Sequence, residues 1–335
     1  MTRQVFSLIL VLLLFCMSVG AVGCRLETRP LQDGQDEILE PEDPEVPQVP
    51  GDLAAPEGEE PSLRVYIAEK GSVENMSMED YIEGVVAAEM DPNWPVESLA
   101  AQAIIARTFT LQKIAETGGV PGRNAHASSD IEEFQAYNPE EITANVRSAV
   151  EESRGLVIVR GGEFIRAWFH AYGGTQTAEA DEGLNFQGGN PEYIHIVKSP
   201  GTDIIPEEER DWEASFPLTR LRQAVQEITG TDPGPVEEVA IAEKGPSGRA
   251  VLFEVNDTRV NAPELRLELG STEMRSTLLS SIDIEGEQVV MEGTGFGHGV
   301  GMCQWGARAL AERGMDPQDI VDYFYRDVEL AKLWD

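Results

Sequence analysis

In the stretch from Met78 to Pro92 the apolar residues Met78, Tyr81, Ile82, Val85 and Val86 recur at spacings of three and four, the period of one helix face. Ser77 and Asp80 have the S-x-x-D spacing of a capping box, which starts the helix, and Pro92 stops it. The next position on that stripe is Glu89, so a carboxylate stands where burial is expected. A second helix is predicted from Val96 to about Thr117, with Pro95 at its first turn and Gly118-Gly119 beyond its end. Leu99, Ala103, Ala106 and Ile114 make its apolar face. Ala100, Ile104 and Leu111 continue that face, and Arg107 falls on this second row.

Elsewhere "LRVYIAE", from Leu63, alternates like a strand. "GLVIV" and "EFIRAWFHAY" read as strands joined at Gly161-Gly162, and "VEEVAIAEKGPSGRAVLFEV" as a hairpin. "LTRLRQAVQEITG" and "APELRLELG" are helix candidates. The chain closes with a glycine-rich loop, a helix stopped by Gly314 and a helix with Pro317 in its first turn. Strands and helices mix without βαβ alternation. The expected class is α+β, one main domain with an inserted or appended smaller α/β lobe.

The expected organisation is a signal over 1–24, a tether over 25–62 and a folded domain over 63–330. Arg3, a mainly apolar run and small residues before Cys24 form an export signal. "AVGC" is similar to a bacterial lipobox, which makes Cys24 the lipidated residue. An ordinary secretory signal or an uncleaved anchor is the alternative, and all three place the domain outside the cytoplasm. The acidic, proline-rich segment 25–62 keeps no apolar period and is expected to be a disordered tether. Cys16 leaves with the signal and Cys24 carries lipid, so Cys303 has no disulfide partner. The chain has 60 acidic and 25 basic residues, a net charge of -35. That argues against nucleic acid as a partner and against loose electrostatic adhesion to anionic membranes.

Candidate chemistry centres on Glu89. Apolar surroundings and the negative end of the helix dipole both disfavour its charged form, as a general acid-base requires. The alternative is a buried structural pair with Arg107. In "GTGFGHGVGM", Gly293 to Met302, alternating glycines let backbone approach a ligand, with His298 and Gln304 offering hydrogen bonds. No Gly-Lys-Ser/Thr follows, so this is not a phosphate loop. "FHAYGG" is a similar strand-to-glycine junction. Cys303 precedes a helix, where a thiolate can be stabilised, but a small buried filler is the simpler reading. His126, His170, His195 and His298 are scattered, so no metal site is expected.

Two segments carry a family resemblance: "AAEMDPNWPVESLAAQAIIARTFTL" and "GFGHGVGMCQWGARALAERG". With "AWFHAYGGTQT", "PEYIHIVKSPG", "SGRA", "LRLELGSTEMRST" and "IVDYFYRDV" in order between and after them, the chain resembles the stage II sporulation protein D and amidase-enhancer family of bacterial cell-wall proteins. The resemblance covers roughly 63–328. It implies an exported lytic transglycosylase that cuts peptidoglycan glycan strands at N-acetylmuramic acid and leaves 1,6-anhydro ends, with Glu89 as the catalytic acid. Arg107 would orient Glu89 or a sugar substituent. Gln102, His298, Gln304 and the loop backbone would line the glycan groove, with His170, Tyr172, Gly173 and Gly174 as further substrate contacts. The runner-up that the resemblance allows is a non-catalytic, wall-binding enhancer of an N-acetylmuramoyl-L-alanine amidase, and the third reading is a scaffold without turnover. It implies no cofactor and a place at the outer face of the cytoplasmic membrane. The chain also departs from the family pattern. "HASSDIEEFQAYN" has no cysteine where some members carry a zinc motif, so no zinc is expected. The family's "HSTSGG" is shortened here to His170-Ala-Tyr-Gly-Gly174, and Cys303 stands where serine is frequent.

Overall fold

The computed structural model describes residues 46–335 other than 54, 57 and 132. The export signal, Cys24 and residues 25–45 of the expected tether lie outside the described residues. Strands β1 (Ser62–Ile67) and β2 (Ser72–Ser77) form an antiparallel hairpin, and Leu63, Val65 and Ile67 turn inward from β1 in strict alternation. Ser77 then caps α1 (Met78–Glu89), its hydroxyl accepting the Asp80 N–H at 3.2 Å. Helix α2 (Val96–Thr117) follows after a short connection and ends at Gly118, which is left-handed with φ 72°. Both helices match their sequence-predicted limits. One expectation changes: α2 is buried on nearly all sides rather than on one face, and Ser98, Gln102, Arg107, Thr108 and Thr110 are all inside. It is the central helix of the main core, which explains its small residues and the need to satisfy each polar one.

Around α2 the chain adds β3 (Ala127–Ser128), parallel to β1, and α3 (Ala144–Glu152), capped by Thr143. Next come β4 (Leu156–Arg160) and β5 (Glu163–Phe164), joined by Gly161 and Gly162, both at positive φ as this tight turn requires. The long strand expected from Glu163 to Tyr172 is broken. After β5 the ladder stops, and β6 (Phe169–His170) pairs with a different partner near the C-terminus. Helix α4 (Ala180–Leu184) completes this part.

A second hydrophobic core, including Trp212, Phe216, Leu221, Val225, Phe253 and Met291, is built between residues 207 and 294. It comprises α5 (Glu207–Arg210), β7 (Asp211–Pro217), α6 (Leu218–Thr229), β8 (Val239–Lys244), β9 (Ala250–Val255), β10 (Thr258–Asn261), α7 (Ala262–Leu269), β11 (Leu279–Glu285) and β12 (Gln288–Thr294). Its two sheets have the orders β10-β9-β8 and β11-β12-β7. The chain then returns to the main core. Strand β13 (Met302–Cys303) pairs in parallel with β6, setting Met302 against Phe169 and Cys303 against His170. The last elements are α8 (Gln304–Ala311), α9 (Pro317–Phe324) and β14 (Glu329–Lys332), which lies beside β4. The class is α+β, with the smaller lobe inserted.

The folded part begins before Leu63, which corrects the expected end of the tether. Leu53 is buried in the main core, Gly58 bridges to Trp334, and Glu60 accepts the Glu79 N–H at 2.7 Å while pairing with Arg154. A proline-rich acidic segment can dock where its carboxylate satisfies the first turn of a helix.

Candidate active site

Glu89 ends α1 and is partly exposed to an open groove of about 800 Å³. The groove is lined by residues 87–93 and 140–143, so Asp91, Glu140 and Glu141 share it. Burial pushes the Glu89 carboxyl up to about 7, against the opposing pull of one hydrogen bond from the Ala136 N–H to Oε1 at 2.9 Å. Near neutrality both protonation states are accessible, so this group can give and take a proton. Among the described residues this is the one side-chain hydrogen bond of Glu89; none runs to the glycine-rich loop.

The donor is held by its neighbours. Gln135 is buried and donates to Thr110 Oγ1 of α2 at 3.0 Å. Tyr137 stacks on Tyr81 of α1, ring centroids 5.7 Å apart and planes 15° apart. The Asn138 N–H donates to the Gly84 carbonyl at 2.9 Å. Segment 135–138 is thereby laid along α1. No periodicity marks a backbone N–H as a site group; the available signals were Gly84 inside a helix and the "QAY" at 135–137.

Arg107 does not meet Glu89, which corrects the expected pairing. It is fully buried, donating from Nε and Nη2 to Glu79 at 3.1 and 2.6 Å and from Nη1 to the Leu156 carbonyl at 2.7 Å. Glu79 Oε1 also accepts from Gly155 N and from Trp334 Nε1 at 3.0 and 2.8 Å. The reason is axial distance. Arg107 is eleven residues into α2, roughly 16 Å along it, and a helix that folds back on α1 brings it to the far end, where Glu79 lies. Arg107 is a structural tie between α1, α2 and β4, and it cannot reach a sugar.

The remaining expected contacts are also mostly inside. Gln102 is fully buried and accepts a long 3.4 Å bond from Gln304, which is itself buried. Tyr172 is buried, its hydroxyl donating to Thr202 at 3.1 Å. Gly173 and Gly174 are buried, and the Gly173 carbonyl accepts from Arg249 Nη2 at 2.6 Å. His170 and His298 come together with ring centroids 5.8 Å apart. His170 donates from Nδ1 to the Val300 carbonyl at 3.1 Å, and burial, then the neighbouring His298, holds its pKa well below the usual range. His298, half-buried, accepts the Val300 N–H at Nδ1 at 3.0 Å; burial, then Arg266 and Arg249, draws it down to about 3. Both rings are neutral at ordinary pH. The glycines of this loop admit the protein's own groups rather than a ligand. A Cβ on Gly301 would lie 1.9 Å from the Trp168 carbonyl, and one on Gly299 2.4 Å from the Arg249 guanidinium. Arg249, from the inserted lobe, is the buried cation at the centre of this cluster, and sequence reasoning passed it over.

One contact links the two regions. Trp94, in the connection after Glu89, packs on Trp305 at the start of α8 with centroids 4.7 Å apart, and Arg308 lies over both rings. Among the described residues no group of three or more His, Cys, Asp and Glu is placed to hold a metal ion.

Residues 66–159, which contain α1, α2 and the Glu89 groove, match the family model described as Stage II sporulation protein (SpoIID). Stage II sporulation protein D of Bacillus subtilis is 29% identical over 299 residues, covering 81% of this chain and 79% of that protein. The part of the chain that holds Glu89 is thus similar to a stage II sporulation protein (SpoIID) domain. An uncharacterized protein of Brachyspira hyodysenteriae is 28% identical over 262 residues, 77% of this chain and 68% of that one. The amidase enhancer of Bacillus subtilis is 26% identical over 298 residues, 75% of this chain but 40% of the relative. Residues 201–301, which take in the inserted lobe, match a domain of unknown function, DUF8618.

Proposed function

We propose that this chain is an exported, lipid-anchored peptidoglycan lytic transglycosylase with Glu89 as its single general acid-base. The observation that carries the reading is the Glu89 carboxyl, poised at about 7 on the wall of an open groove. In the first step its proton passes to the glycosidic oxygen after N-acetylmuramic acid as the C1–O bond breaks. The 6-hydroxyl oxygen of the same sugar then bonds to C1, and its proton returns to the Glu89 carboxylate. No water is consumed and no second carboxylate acts as nucleophile, unlike ordinary glycosidases.

The test is to incubate the purified protein with peptide-free glycan strands and analyse the ends by mass spectrometry. Anhydro-muramic ends from wild type and none from Glu89→Gln support the reading. Reducing ends would instead make this a hydrolase, with Asp91, Glu140 or Glu141 as the base across the groove.

A second reading follows from the relative named an amidase enhancer and from the burial of Tyr172, His170 and Gln102, which leaves few side chains for sugar. On that reading the chain binds the wall and stimulates a cell-wall amidase. Stimulation that survives Glu89→Gln, with no cleavage of any glycan, would favour it.

A further inference from the structure

Helix α1 has a notch at Gly84. A Cβ built there would lie 2.2 Å from Tyr137 Cε2 and 2.6 Å from Cδ2. Glycine inside a helix costs roughly 1 kcal/mol relative to alanine, and Gly84 is not among the residues with positive φ. Its own backbone therefore does not require it; the ring that fills the notch does. Tyr137 lies flat on Tyr81 just above, and the Asn138 N–H closes on the Gly84 carbonyl. Gln135 ties the other end of the segment to Thr110. Between these anchors the Ala136 N–H reaches Glu89 Oε1 at 2.9 Å.

We propose that Gly84 and Tyr137 are positioning residues for Glu89: they seat segment 135–138 so that the Ala136 N–H stays on Oε1, leaving Oε2 as the oxygen that gives and takes the proton. In a neutral carboxyl the carbonyl-type oxygen accepts and the hydroxyl oxygen donates. An N–H fixed on Oε1 makes that oxygen the acceptor and assigns the proton to Oε2. The groups that could compete for control of Glu89 are Tyr81 on the same helix and Asp91, Glu140 and Glu141 in the groove. The influences that dominate at Glu89 are burial and the Ala136 bond. The catalytic half of this inference rests on the proposed function; the positioning half does not.

The experiment follows the Ala136 amide proton and the Glu89 carboxyl carbon by NMR across pH in the full-length chain. In wild type the two should move together with one midpoint. In Gly84→Ala the amide should lose that pH response and exchange about tenfold faster or more. Tyr137→Val should weaken the response partly. The double variant Gly84→Ala/Tyr137→Val should resemble Tyr137→Val alone, because the colliding ring atoms are gone. An Ala136 amide that still tracks Glu89 in Gly84→Ala overturns the proposal, as do strictly additive effects. If Gly84→Ala does not fold, an amide-to-ester replacement at residue 136 removes only the N–H. It should raise the midpoint of kcat/KM against pH, and of the Glu89 carbon, by roughly half a unit or more. An unchanged midpoint overturns the proposal. Linked titration in a protein that forms no anhydro ends keeps the positioning and ends the enzymatic reading. Turnover with an unlinked Ala136 does the reverse.

Discussion

Arg107 grips Glu79 through two N–H bonds, Nη2 at 2.6 Å from Oε2 and Nε at 3.1 Å from Oε1, with both side chains shut away from water. The Trp334 indole and the Gly155 N–H complete the carboxylate's partners. Removing one member leaves a buried charge uncompensated, which costs about 3–5 kcal/mol. Arg107→Ala should therefore lower the unfolding midpoint sharply in denaturant titrations. In the fraction that remains folded, the Glu89 titration should be unmoved. A shift of the Glu89 midpoint would return Arg107 to the active site.

Trp334→Phe keeps most of the ring volume and deletes the N–H given to Glu79. The carboxylate keeps its other donors, so the loss should be about 1–3 kcal/mol, smaller than for Arg107→Ala. Paired melts of the two variants check the ranking.

Glu89 sets a pH dependence with a definite sign. Its folded pKa of about 7 lies above the ordinary 4.5, so the folded state holds this proton more tightly than the unfolded state. The stability linked to it is full below pH about 4.5 and is lost as pH rises through about 7. Glu89→Gln should thus stabilise the protein at pH 8, by up to about 3 kcal/mol, and change little at pH 4. Because the first step needs the protonated acid, kcat/KM should fall above pH about 7.

Arg249 donates to the Gly173 carbonyl, the Ser247 hydroxyl and, at 3.4 Å, the Gln176 carbonyl, so one cation ties the turn at 173–176 to the bend between β8 and β9, with its guanidinium packed against Gly299. Lysine keeps the charge but cannot match the planar fork. Arg249→Lys should cost about 1–3 kcal/mol and speed amide exchange across residues 295–301, read by exchange mass spectrometry.

Cys303 is buried and caps α8, its sulfur accepting the Gly306 N–H at 3.4 Å, and burial pushes the thiol up. The native protein should resist labelling at this residue until it unfolds, as peptide mapping would show. Cys303→Ser, which preserves the cap, should change stability by less than about 1 kcal/mol.

Much of the scaffold could be read without coordinates. The helices 78–89 and 96–117 follow from capping residues, prolines, glycines and apolar spacing, and the hairpin at Gly161-Gly162 follows from turn chemistry. Even the Arg107–Glu79 pair was open to arithmetic, since helix rise places Arg107 opposite the start of α1. The break after β5 was not readable, because the composition of "EFIRAWFHAY" is that of a strand, and only the pairing of β6 with β13 shows where its ladder goes. Nor was the burial of Gln102, His170 and Tyr172, whose polar ends suggested ligand contacts but lie inside the protein, Gln102 Nε2 and His170 Nε2 without a hydrogen-bond partner among the described residues.

By itself the sequence determined that a carboxylate would stand on an apolar helical stripe at Glu89, because periodicity is a local property of consecutive residues. The tertiary structure decided what that carboxylate meets. Its donor is a backbone N–H forty-seven positions further on, supplied by a segment that Gly84 admits and Tyr137 holds. A main-chain amide is the same at every residue but proline, so only packing between distant segments can single one out.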